Sequence, residues 1–118
     1  MRVLYLEDSR PDIRLVQQYM NSVNHEFDAA ETIDQARQYL QRRRPDVFLV
    51  DLVIDGEMAY DLIEQAAKQK LSKHIVAITA RPLPAERKRC KELGCDHLIA
   101  KPFTIDELER TLEQLAEE

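Results

Sequence analysis

The 118-residue sequence predicts an α/β protein, a five-stranded parallel sheet with helices on both faces. Three observations carry that reading. Short apolar runs alternate with stretches whose apolar residues recur every three or four positions. Two of the runs, 47–50 and 75–78, are apolar throughout, as strands covered on both faces are. Capping and stop residues stand where the alternation needs helix ends.

The elements follow in chain order. Val3 to Leu6 make the first strand. Ile13, Val16, Met20 and Val23 mark the first helix, with Ser9 before it and Pro11 in its first turn, where proline's missing N–H loses no partner. A weak run, Phe27 to Ala30, is the second strand. Ile33, Ala36 and Leu40 mark the second helix, and Thr32 with Gln35 fits a capping box. Val47 to Val50 is the third strand, and Leu62, Ile63, Ala66 and Ala67 mark the third helix. Ile75 to Ile78 is the fourth strand.

The fourth helix, about Pro84 to Leu93, is different. Its stretch ERKRCKE has almost no apolar stripe, so it is expected to be the least firmly docked helix. Gly94 is a good stop for it. Leu98 to Ala100 make the fifth strand. Ile105, Leu108, Leu112 and Leu115 mark the fifth helix, with Thr104 and Glu107 as its capping box. No linker, repeat or low-complexity segment intervenes, so residues 1–118 read as a single domain.

Composition narrows the function. Apolar content of 44% and charged content of 33% suit a globular chain rather than a disordered one. No apolar run reaches the roughly 18 residues of a membrane span. The start, MRVLYLEDS, turns acidic too early for a secretory signal, so a cytoplasmic protein is expected. A net charge of −5 argues against direct nucleic-acid binding, and the basic runs at 42–44 and 87–89 read as solvated faces. Cys90 and Cys95 lack redox or zinc spacing and read as free thiols. His25, His74 and His97 are scattered and read as surface or strand-edge residues.

In a parallel sheet with helical crossovers, ligands bind beyond the carboxyl ends of the strands. The first strand ends in Glu7 and Asp8, the third in Asp51, the fourth in Thr79, and the fifth runs into Lys101 and Pro102. Three carboxylates, a hydroxyl and an ammonium thus collect at one edge. Clustered carboxylates repel one another and invite a hard divalent cation, Mg²⁺ above all. A carboxylate can attack phosphorus to give an aspartyl phosphate. The metal, Lys101 and the Thr79 hydroxyl can then each take one of the phosphoryl oxygens. The same edge accounts for Asp51, which interrupts the apolar run DVFLVDLVI and would be costly to bury alone.

These residues resemble a response-regulator receiver (phosphoreceiver) domain of two-component signalling over essentially the whole chain. The family's acidic pair appears as YLEDS, its acceptor strand as VFLVD, its Ser/Thr-small pair as ITA, and its Lys-Pro as AKPF. The separations are 43 residues from Asp8 to Asp51, 28 to Thr79 and 22 to Lys101, and they match the family without a gap. The resemblance implies a flavodoxin-like, doubly wound (βα)5 fold with strand order 2-1-3-4-5. It implies that Asp51 accepts a phosphoryl group from a histidine kinase or phosphotransfer protein, with Thr79 and Lys101 contacting the phosphoryl oxygens. Asp8 and Asp51 would bind Mg²⁺ directly, Glu7 mainly through water, and the backbone carbonyl of Val53 would be a further ligand. The protein would be a signalling switch, not an enzyme acting on another substrate.

Several positions depart from the family's pattern. Asp55 and Ala59 replace a usual proline and glycine after the acceptor, so the loop there is expected to turn on Asp55-Gly56. Leu98 replaces the aromatic switch residue, and Lys88 and Lys91 replace commonly apolar positions on the fourth helix. Cations on that helix and acids such as Glu109 and Glu113 on the fifth suggest a two-fold homodimer contact through the fourth helix, fifth strand and fifth helix. The alternative reading is a receiver-like binding module regulated without phosphorylation; its usual mark, loss of an acidic residue or the lysine, is absent. A haloacid-dehalogenase-like phosphatase needs a second Asp where Val53 stands. A dinucleotide enzyme needs a Gly-rich turn after the first strand, and this chain has two glycines, Gly56 and Gly94. Neither the cognate kinase nor the downstream target is encoded in these motifs.

Overall fold

The computed structural model describes residues 1–118. Seven strands and five helices follow one another as β1 (Arg2–Leu6), α1 (Arg10–Ser22), β2 (Glu26–Ala30), α2 (Ile33–Arg42), β3 (Val47–Asp51), β4 (Val53–Ile54), β5 (Glu57–Met58), α3 (Tyr60–Lys68), β6 (His74–Thr79), α4 (Pro84–Leu93), β7 (His97–Ala100) and α5 (Ile105–Ala116). The main sheet is all parallel, in the order β2-β1-β3-β6-β7. Counting only its own five strands, that is the expected 2-1-3-4-5 of a flavodoxin-like fold.

Strand alternation sorts the core into two layers. Leu4, Leu6, Phe48 and Val50 pack with Leu40, Leu62 and Ile63 beneath α2 and α3. Val3, Tyr5, Leu49, Val76 and Ile78 pack with Val16, Met20, Leu108, Leu112 and Leu115 of α1 and α5. β3 and β6 are buried along their whole length, which is why their sequences show no polar face. β2 lies at the edge and buries only Ala30, which explains the weakness of its apolar signal.

Helix ends follow local chemistry. Thr32 Oγ1 accepts from the Gln35 N–H, and Thr104 Oγ1 from the Glu107 N–H, so both expected caps form. The return half of the first box lands one residue early: Gln35 Oε1 accepts from the Glu31 N–H rather than from Thr32. Ser9 is the N-cap of α1 but makes no side-chain cap bond. Gly94 ends α4 with φ of 108°, and α4 buries only Cys90, as its missing stripe predicts.

Two features differ from expectation. Asp55-Gly56 does form the turn, with φ of 49° and 79°, but it joins the two-residue strands β4 and β5 into an antiparallel hairpin. Positive φ at both central residues is what a tight hairpin turn requires. His74 is neither a surface nor an edge residue; it opens β6, an inner strand, and is only 9% exposed. The cysteines are free, as expected.

Candidate functional site

Register and alternation build the site. Leu6 lies opposite Val50 in the β1–β3 pairing, which sets the next residues, Glu7 and Asp51, side by side. Glu7 stands two residues past Tyr5, Asp51 two past Leu49, and Lys101 two past Ile99, and all three reference residues face α1 and α5. A period of two therefore sends the three charged side chains to the same side. Lys101 Nζ donates to Asp51 Oδ2 at 2.6 Å and also to Glu7 Oε1. The Lys101–Pro102 peptide bond is cis.

The electrostatics follow from a charge count. Glu7 is almost fully buried and Asp51 is 8% exposed, so water screens neither well. One ammonium faces both carboxylates. Burial first, then the neighbouring Asp51, push the Glu7 carboxyl up to about 8 from an ordinary 4.5, although Lys101 pulls the other way. Burial works against the Lys101 ammonium, but Asp51 and Glu7 outweigh it and hold its pKa above the usual lysine value. Asp12, in the first turn of α1, adds a third carboxylate, with Oδ2 3.5 Å from Lys101 Nζ.

The remaining expected residues surround this centre. Asp8 is exposed, and its Oδ2 accepts from the Asp55 N–H at 2.9 Å, tying the β1 end to the hairpin turn. The Val53 N–H donates to Asp51 Oδ1 at 3.2 Å. The Leu52 carbonyl accepts from the Ala59 N–H, so alternation makes Val53 and Met58 the non-hydrogen-bonded pair and leaves the Val53 carbonyl free of the ladder. Thr79 has the opposite parity, that of Ile75 and Ala77, and turns toward α4. Its hydroxyl donates to Glu86 Oε2 at 3.1 Å and accepts from the Arg81 N–H.

A sequence model described as the response regulator receiver domain matches residues 3–113. The chain belongs to that family. Among related receiver domains, the chain is 29% identical to part of the sensor histidine kinase RcsC of Salmonella typhi over 117 residues, covering 99% of this chain and 12% of RcsC. It is 30% identical to part of the transcriptional regulatory protein PhoP of Escherichia coli O6:H1, covering 98% of this chain and 52% of PhoP. The chain thus spans a small fraction of the first relative and about half of the second. The receiver domain of the sensor histidine kinase PA1611 of Pseudomonas aeruginosa, solved with a magnesium ion coordinated in its active-site cleft, superposes with a TM-score of 0.85 at 23% identity. That likeness covers 99% of this chain and 98% of the PA1611 domain, and it shows a common fold.

Within this receiver domain, Glu7, Asp51 and Lys101 meet directly, Asp8 and Val53 stand at the rim, and Thr79 faces away toward α4. Sequence reasoning missed Asp12, Asp55 and Glu86. Asp12 and Glu86 are first-turn acids of α1 and α4, a placement that complements the helix dipole anywhere and so carried no specific signal. Their proximity to the strand ends was the available clue: each helix begins just past a site residue.

The donor set fits a hard cation. Glu7, Asp8, Asp12 and Asp51 bring four carboxylates to one edge against the single ammonium of Lys101. Oxygen ligands in negative excess are what Mg²⁺ requires.

Proposed function

We propose that residues 1–118 act as one phosphorylation-dependent signalling unit in which Asp51 accepts a phosphoryl group from a histidine kinase or a phosphotransfer protein. The ion pair of Lys101 with Asp51, set at the carboxyl edge of the sheet, is the observation that supports this most directly. A carboxylate oxygen of Asp51 would attack phosphorus, the bond to the donor's histidine nitrogen would break, and the imidazole would leave with that electron pair. Charge builds on the phosphoryl oxygens, and Lys101 is already beside the atom that receives them. Thr79 would turn from Glu86 to take a further oxygen.

Asp8, Asp51 and the Val53 carbonyl would hold Mg²⁺, with Glu7 acting through water. The ion would supply neutralisation of the phosphoryl and carboxylate charges. Hydrolysis of the aspartyl phosphate by water would reset the switch slowly, and no other reaction is assigned to the chain. No helix is long and apolar enough to cross a membrane, which accords with a cytoplasmic role.

A groove of about 330 Å³ beside the site suits the incoming partner. It is lined by Asp12, Leu15, Ala80, Lys101, Pro102 and Phe103, and Leu15 is 46% exposed. An apolar rim beside the Lys101 ammonium fits a helix that presents a phosphohistidine. Self-association is proposed for the face made by α4, β7 and α5, with Arg87, Lys88 and Lys91 as the cations α4 would bring to it; Arg89 stacks instead over the Tyr60 ring of α3, 4.5 Å from its centroid. An unchanged monomer in sedimentation, with and without beryllofluoride, would exclude it.

The deciding experiment is incubation with a small phosphodonor and Mg²⁺ under intact-mass detection. The parent should gain one phosphoryl group, and Asp51→Asn should gain none. Equal labelling of the two proteins overturns the assignment.

A further inference from the structure

A second cluster of side chains of metal-ligating type lies at the opposite edge of the sheet, where the strands begin. His74 opens β6, Asp96 immediately precedes β7, and Glu118 follows α5. Their ligand atoms all lie within 4.8 Å of one another. His74 has the parity of Val76 and Ile78, so its ring lies on the face covered by α1 and α5.

Three features of this cluster call for a cation. The His74 side chain is buried, and neither Nδ1 nor Nε2 has a hydrogen-bond partner. Leaving a buried polar atom unmet is costly. Asp96 Oδ2 lies 3.7 Å from His74 Nδ1, too long for a hydrogen bond, while the same oxygen accepts from the Ile75 N–H at 2.8 Å and is held in place by it. Finally, α5 ends here, and its last turn carries no basic residue to offset the negative end of the helix dipole.

We propose that His74, Asp96 and Glu118 form a binding site for a divalent transition metal of the Zn²⁺ class. One imidazole and two carboxylates select such a metal over Mg²⁺, which avoids nitrogen ligands. Ligand atoms around tetrahedral zinc sit roughly 3.4 Å apart at ordinary Zn–N and Zn–O lengths. Contraction from the present spacing is available because Glu118 and Asp96 are both exposed. Three protein ligands leave a fourth position for water. A metal here would clasp the end of α5 to the starts of β6 and β7, and its occupancy is independent of phosphorylation at Asp51.

The test is a Zn²⁺ titration of the full chain in excess Mg²⁺, read by calorimetry and by long-range ¹H–¹⁵N NMR of the imidazoles. One Zn²⁺ should bind per chain, shifting the ring-nitrogen signals of His74 and leaving those of His25 and His97 in place. Losing even an outer partner of a metal ligand weakens binding about 10–100-fold, so Asp96→Asn and Glu118→Gln should each do at least that. His74→Gln should abolish binding, and Asp51→Asn should leave it intact. The two carboxylate variants keep the test decisive if His74→Gln does not fold. Binding that survives in His74→Gln, that disappears in Cys95→Ser or Asp51→Asn, or that leaves the His74 signals unmoved overturns the proposal. So does an imidazole that takes up a proton but no zinc.

Discussion

The Thr79 hydroxyl donates to Glu86, not to Asp51. The residue that would contact the phosphoryl group is therefore engaged with the first turn of α4, the helix with the fewest buried residues. Turning Thr79 toward Asp51 breaks that bond, so the state of the site and the hold on α4 are linked through one contact.

Glu86→Ala removes the competitor. A hydrogen bond to a charged group contributes about 1.5–3 kcal/mol, less where water reaches it. The beryllofluoride concentration needed for half-conversion should fall by about three- to tenfold, since the competing state loses that much stabilisation. Unchanged or higher midpoints by fluorine or amide NMR would show that Glu86 does not restrain Thr79.

Lys101 and Asp51 should respond oppositely to removal. Lys101→Met leaves Glu7 and Asp51 adjacent, buried and without their cation, and should destabilise the metal-free protein by somewhat less than the roughly 3–5 kcal/mol of a fully buried pair. Asp51→Asn leaves one ammonium facing Glu7 and should match or exceed the parent in stability. Urea unfolding curves give both values, and destabilisation by both substitutions would refute the charge count.

Stability should depend on pH through Glu7. Its carboxyl is held at about 8 in the folded protein, against an ordinary 4.5. A raised folded value means the native state holds the proton more tightly, so the contribution is complete below about 4.5 and is lost as pH rises toward 8. Metal-free protein should therefore weaken across that interval, and Glu7→Gln should flatten the profile. A parent midpoint that rises from pH 5 to 8, after subtraction of the Glu7→Gln curve, contradicts this.

Gly94→Ala should destabilise. Gly94 has φ of 108°, and an added Cβ would lie 3.0 Å from the Cβ of Ala67 on α3. Left-handed backbone alone costs a non-glycine residue about 1–2 kcal/mol. The contact adds to that, so thermal unfolding should show a loss above 1 kcal/mol. Amide exchange in α4 should accelerate before it does in α3.

Leu98 should stay in one side-chain conformation. It is half-buried against the core beneath α4, where a leucine gains little from either position of Thr79. Methyl NMR with and without beryllofluoride reads this directly. A rotamer change at Leu98 with an unmoved Ala80–Pro84 loop would make the leucine the switch.

The order of the five main-sheet strands and the five helices, the parallel sheet and the edge that carries Glu7, Asp8, Asp51, Thr79 and Lys101 were determined by sequence alone, while the short β4–β5 hairpin was not. The reason is physical: two-sided burial writes continuous apolar runs, helical crossovers make every strand point one way, and residues just past each run must then share an edge. The turn at Asp55-Gly56 and the stop at Gly94 were equally local, since both rest on positive φ. Only the tertiary structure decided which partners those side chains take. Strand parity set Lys101 against Glu7 and Asp51 while turning Thr79 to Glu86, and the folding of α1 and the hairpin brought Asp12 and Asp55 to the site. The burial of His74 beside Asp96 and Glu118 was likewise invisible, because three residues from three separate elements meet only when the sheet and α5 are packed together.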